Sequence, residues 1–179
     1  ARYEQGLQAG AGDRFAEPGL RNALGFLRLR RGEHEEAARQ FEARLKLAAI
    51  FVQRDAEALA RVGLGDVRLA TGDRESARQM YAAAAETLRR GVPTLRCIAI
   101  QRLGRLALGE SRLDEAAAHF AEMLAINRQM GNPPCEAEAQ AGIADIALAR
   151  NDLDAADVAA RQVIQIAEQF REAVPNLES

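Results

Sequence analysis

The sequence predicts an all-α fold, an array of antiparallel helix hairpins, on three observations. The first is a repeat. Leu24-Gly25, Gly32, Ala37 and Phe41 recur as Leu64-Gly65, Gly72, Ala77 and Tyr81, then as Leu103-Gly104, Ser111, Ala116 and Phe120, then as Ile143-Ala144, Asn151, Ala156 and Ala160. Successive offsets are 40, 39 and 40 residues, and the internal spacings of 7, 5 and 4 persist throughout. A period of that size marks a stacked array in which no unit buries its apolar face alone. The second is apolar residues at helical spacing, Leu20, Leu24 and Leu27 in one unit and Ala60, Leu64 and Val67 in the next. The third is composition. Apolar residues make up 48% but aromatics only 4%, with alanine, the best helix former, supplying much of the total.

The elements follow in order. Residues 1–17 read as a degenerate half-repeat or N-terminal cap, since Glu17 stands 40 residues before Glu57 and Tyr3-Glu4 echoes Phe41-Glu42. Four repeats are expected at 18–54, 55–92, 93–132 and 133–171, with 172–179 as a C-terminal tail. Pro18, Pro93 and Pro133-Pro134 mark the starts of first helices, where the missing N–H costs nothing. The second repeat has no such proline, and Asp55 is its expected cap. The turns within the hairpins fall at Arg31-Gly32-Glu33, Thr71-Gly72-Asp73, Glu110-Ser111-Arg112 and Arg150-Asn151-Asp152. Gly and Asn tolerate the left-handed conformation that ends a helix, and Ser111 is the poorest fit of the four. Second helices are expected over 33–52, 73–90, 112–131 and 152–171, and acidic residues at three of the turns suit their N-termini.

This Leu-Gly, Gly, Ala, aromatic column resembles the tetratricopeptide repeat (TPR) across residues 18–171. The resemblance implies a right-handed superhelical array, an α-solenoid whose first helices line a concave groove. The longer period and the string Ile143-Ala144-Asp145-Ile146-Ala147-Leu148-Ala149-Arg150-Asn151-Asp152 are similar to a bacterial variety. Such arrays occur in large transcriptional regulators, adenylate-cyclase-type regulators and quorum-sensing peptide receptors, and kinesin light chain uses a similar period. The matching residues are packing residues: Gly25, Gly65 and Gly104 on one side, Ala37, Ala77, Ala116 and Ala156 on the other, let helices approach closely. The chain departs from the pattern in having no Trp, Ala144 in place of Gly and Ala160 in place of the aromatic.

Charge and chemistry narrow the function. The net charge of −2 conceals a gradient, +3 over residues 1–90 and −5 over 91–179, too weak for bulk binding to nucleic acid. Only Lys46 among the basic residues is a lysine. No segment approaches the length of a membrane span, and no membrane partner is expected. Two cysteines, Cys97 and Cys135, without a CxxC pattern, suit a reducing, cytoplasmic compartment. The opening Ala1-Arg2-Tyr3 has neither Met nor a signal-peptide core, as in a segment of a longer protein or a chain lacking its start.

His34 and His119 stand apart from one another and from the cysteines, so they read as surface or boundary residues. Cys97 and Cys135 lie near the starts of adjacent first helices and read as packed thiols before any redox or metal pair. Gly63-Leu64-Gly65 sits inside a helix and is a packing feature rather than a phosphate loop. No catalytic, cofactor or metal constellation is expected, and the chain does not read as an enzyme.

Two binding surfaces are expected instead. By analogy with the resembled arrays, Phe26, Asp66, Arg105 and Asp145 face the groove, with Asn22, Val62, Gln101 and Ala141 one turn earlier. A row of both signs suits an extended peptide or a partner helix, and equally an inter-repeat ladder in which Asp66, Arg105 and Asp145 satisfy one another. Arg21, Arg28, Arg61 and Arg68 form a stripe at a spacing of 7, read first as pairing with neighbouring Glu and second as an anion clamp. The last helix is apolar on two sides, and Ala159, Ile166 and Phe170 are the expected self-association face. The whole therefore reads as a protein- or peptide-binding scaffold, a regulatory or adaptor segment of a larger bacterial protein. Homodimerisation and reception of a short signalling peptide are the alternatives.

Overall fold

The computed structural model describes residues 16–173. The expected half-repeat therefore lies outside the described residues except for Ala16 and Glu17, and so does most of the expected tail. Eight helices run through the described residues: α1 (Ala16–Arg30), α2 (His34–Ile50), α3 (Arg54–Ala70), α4 (Arg74–Thr87), α5 (Pro93–Gly109), α6 (Leu113–Met130), α7 (Pro133–Ala149) and α8 (Leu153–Ala173). No strand occurs among them.

The local signals explain most of the boundaries. α5 and α7 start at Pro93 and Pro133, and α1 takes Pro18 into its first turn. Side chains of Asp73, Asn132 and Asp152 accept from the backbone N–H groups of Ser76, Cys135 and Ala155 and so cap α4, α7 and α8. Asp55 does not cap α3. Gln53 occupies that position without a side-chain capping bond, and Asp55 sits inside the first turn, where its charge still complements the helix dipole.

Most of the described helix ends obey one rule. Gly32, Gly72, Ser111 and Asn151, at the four turns within hairpins, all adopt positive φ. Each follows the same pattern of backbone bonds, as in Gly32 N–H to Leu29 O and Glu33 N–H to Arg28 O. Two of the three links between hairpins use it as well, at Gly131 and, unexpectedly, at Val52 with φ 54°.

The chain divides into two compact units at Ala99 and Ile100, within α5, and each unit has its own packing. In the first, α2 packs on α1, α3 on α2 and α4 on α3, and α1 also meets α3. Phe41 and Ala37 of α2 form its core with Leu64 and Val67 of α3. In the second, α7 packs on α6 and α8 on α7.

Aromatic wedges organise both units. The ring of Phe41 is so close to α1 that a Cβ on Gly25 would stand 2.7 Å from it, and a Cβ on Gly63 of α3 would collide with the same ring. Phe120 stands likewise between Gly104 of α5, at 3.0 Å, and Gly142 of α7. Tyr81 presses on Gly65. Each ring thus replaces the side chains missing from the facing helices, which explains the glycine column as close approach rather than backbone freedom. In the fourth hairpin both members change together: Ala144 fills the glycine position and Ala160 the ring position.

One core position breaks the pattern. The buried stripe Ala37, Phe41, Arg44, Ala48 carries an arginine where the later hairpins place Ala84, Met123 and Val163. Arg44 is 6% exposed, and its Nε has no hydrogen-bond partner. Burial pushes its guanidinium down to about 10.

Candidate functional site

The expected groove row separates into buried and available members. In the first unit Val62 is 1% exposed and belongs to the core. Phe26 is half-buried and meets Phe41 edge to face, with ring centroids 5.0 Å apart and planes at 71°. Asn22 is half-buried, and its Oδ1 is enclosed without a hydrogen-bond partner. Asp66 is half-buried and accepts a 2.7 Å hydrogen bond from the Tyr81 hydroxyl. The tyrosine that wedges α3 against α4 therefore also orients a carboxylate of the row. Sequence spacing did not reveal this, because Tyr81 was assigned to packing alone.

In the second unit Gln101 is buried, while Arg105 and Asp145 are exposed. Arg105 reaches Glu138 of α7 at 3.9 Å and makes no ion pair with Asp145. The anticipated ladder is therefore not what holds Arg105. Glu138, absent from the sequence-derived row, is its partner, because it sits two turns earlier on the same helix as Asp145 and faces α5.

Three of the four stripe arginines are taken up by neighbours, and Arg68 is exposed on α3. Arg21 pairs with Glu17 at 2.6 Å and donates to Gln40, Arg28 pairs with Glu33, and Arg61 pairs with Glu57 at 2.6 Å and donates to Thr87. The pairs with Glu stay within a helix and its adjoining turn, while the bonds to Gln40 and Thr87 reach the second helix of the same hairpin. An open hollow of about 860 Å³ lies over the first two turns, lined by Arg28, Glu33, His34, Glu36, Arg39 and Thr71. Its charges are largely matched: Arg28 with Glu33, and Arg39 with Glu36, whose carboxyl is held below its ordinary range by bonds from Arg39 and Gln40.

His34 begins α2, and the Nε2 of His119 lies 3.8 Å from Glu115. Cys97 is buried and Cys135 half-buried. Among the described residues no three His, Cys, Asp or Glu side chains gather as a metal site would require. No helix among them is long and apolar enough to cross a membrane.

On α8 the expected self-association face shifts. Ala159 is 4% exposed and packs inward, so it is no part of an open face. Ile166 is half-buried and Phe170 remains exposed. The most open apolar side chains are Leu153, Val158 and Ile164, each more than half exposed. The reason is register. Ala156 and Ala159 look toward α7, and Ile164 occupies the position at which Leu45 and Leu124 of earlier second helices are partly covered.

No protein-family model matches the chain. No curated protein matches it either. Among solved structures, the fold is similar to BtubC (BKLC) from P. vanneervenii, with a TM-score of 0.78 and 21% identity over 99% of this chain and 75% of that one. It is also similar to the TPR-like repeats of a Podosopora anserina chain designated a kinesin light chain, with a TM-score of 0.70 and 16% identity over 96% of this chain and 86% of that one. At such identities the likeness is one of fold: this is a TPR-like array of helix hairpins.

Proposed function

We propose that this TPR-like array is a protein- or peptide-binding scaffold that engages its partner along the first-helix faces, as a regulatory or adaptor segment of a larger bacterial protein. The observation that carries the reading is in the second unit. Arg105 of α5 and Asp145 of α7 are exposed and of opposite sign, and Asp145 makes no ion pair among the described residues. An extended peptide carrying both charges, or a partner helix, complements such a pair. A helical-repeat fold of this kind supports a protein-interaction role in general, and the residue assignment is ours.

The test compares affinity capture by the wild-type chain with capture by Arg105→Glu/Asp145→Arg. These positions are chosen over Asp66, whose replacement would also break the bond to Tyr81. A partner held by wild type and lost with the double variant, at unchanged melting temperature, supports the scaffold. Capture that the reversal leaves intact refutes the proposed face. A second reading, self-association through α8, is favoured by the exposure of Leu153, Val158 and Ile164. It predicts a concentration-dependent mass that Ile164→Glu abolishes.

A further inference from the structure

Six of the described helices end on a residue with positive φ. Five of these residues are Gly32, Gly72, Ser111, Gly131 and Asn151, and the sixth is Val52. A β-branched residue is the least suited of all to that conformation, so Val52 holds a strained place that glycine fills elsewhere. Val52 is also 81% exposed and follows Ile50, itself 70% exposed, and the partly exposed Phe51. The equivalent link of the third hairpin reads Gln129-Met130-Gly131-Asn132, and every turn within a hairpin is polar. Strain and apolar exposure thus coincide at one link.

Among the unpaired charges around this tip, cations outnumber acids. Lys46 is exposed one turn before Ile50, on the same side of α2. Arg54 opens α3, and an open hollow of about 540 Å³ brings Val52, Arg54 and Asp55 together with Gly91 of the next link. That link adds exposed Arg90 and Val92. Among the described residues Lys46, Arg54 and Arg90 make no ion pair, whereas Arg89 is matched by Glu86 at 2.8 Å. The acids nearby are Asp55, half-buried, and Glu42, a turn further down α2. On a chain of net charge −2, the tip is locally basic.

We infer that this tip is a peripheral membrane contact. Ile50, Phe51 and Val52 enter the interface of a bilayer bearing anionic phospholipid, and Lys46, Arg54 and Arg90 meet its headgroups. An apolar wedge ringed by cations matches a surface that is negative outside and hydrocarbon beneath. The sequence argued against a membrane partner because no segment can span one, and an interfacial tip needs no span. The inference is independent of the first-helix face proposed above, which lies elsewhere on the hairpins.

The test is co-sedimentation of the 179-residue chain with phosphatidylcholine vesicles, with and without a one-third share of phosphatidylserine. Binding is expected only with phosphatidylserine, weakening at high salt. Ile50→Ser/Val52→Ser and Arg54→Glu/Arg90→Glu should each reduce it about tenfold or more, and Leu148→Ser, at an open apolar side chain of α7, should leave it unchanged. Val52→Asn should weaken binding while raising the melting temperature, a pairing that a merely structural link would not show. A chain that stays in the supernatant with both vesicle types overturns the inference, as does binding that survives both double variants. A concentration-dependent mass lost in Ile50→Ser/Val52→Ser also overturns it, making the tip a contact between copies.

Discussion

The hydroxyl of Tyr81 donates to a carboxylate oxygen of Asp66 across 2.7 Å, joining the wedge between α3 and α4 to the face that α3 turns outward. Phe41 and Phe120 fill the equivalent positions in their hairpins without any such bond being possible. The second hairpin therefore differs from its neighbours by one polar contact laid over the same packing.

Tyr81→Phe isolates that contact. The ring stays in place against Gly65, and the lost bond to a carboxylate should cost about 1–2 kcal/mol, read as a lower midpoint in urea with an unchanged slope. A neutral result would mean that water replaces the hydroxyl at no cost.

The wedges make the glycines of the facing helices interdependent with the rings. Gly142→Ala sets a Cβ against Phe120 and should destabilise by about 1–3 kcal/mol. In a Phe120→Ala background the same change should cost little, because the ring it strikes is gone. The fourth hairpin already carries alanine at both the ring position, Ala160, and the facing position of its own first helix, Ala144. A double-mutant cycle that came out additive would refute the coupling.

Val52→Asn should stabilise the chain by about 1 kcal/mol, since asparagine accepts positive φ with far less strain than a β-branched residue. Thermal unfolding reads the change directly. A fall in melting temperature would show that the valine makes contacts that offset its backbone.

Arg44→Met places the third hairpin's residue in the first hairpin's core. Removing a buried, unpaired guanidinium should stabilise by about 1–3 kcal/mol at neutral pH. Burial holds Arg44 at about 10, below its unfolded value, so the unfolded state binds more protons above that pH. The wild-type penalty is full below pH 10 and fades as pH rises further. The advantage of the methionine variant should therefore narrow in alkaline urea titrations, and a constant advantage would contradict this account.

Much of the fold was legible because a repeat states its packing once per period. The Leu-Gly, Ala and aromatic columns identify which helix faces meet, and the turn residues identify where chains reverse, at Ser111 as well as at the glycines. The column did not single out Gly63 and Gly142 as the second side of each wedge, since they face the ring of the preceding hairpin and lie two residues before the repeated glycine or alanine. Nor did it mark Val52, because nothing local asks a valine to end a helix in a left-handed turn.

The candidate site was less legible. Choosing Asn22, Phe26, Val62, Asp66, Gln101, Arg105 and Asp145 by position treated one helix face as uniform, and the structure does not. Val62 and Gln101 are buried, Phe26 braces Phe41, and Arg105 turns to Glu138. On α8, Ala159 turned inward and Ile164 outward for the same reason. Periodicity by itself determined the hairpins, their turns and their close-packed columns, because those depend on contacts that recur every 40 residues or so. Which polar side chains pair, which stay open, and which charge is buried alone were decided only in the tertiary structure. Those outcomes depend on a few ångströms of reach between helices whose sequences do not repeat.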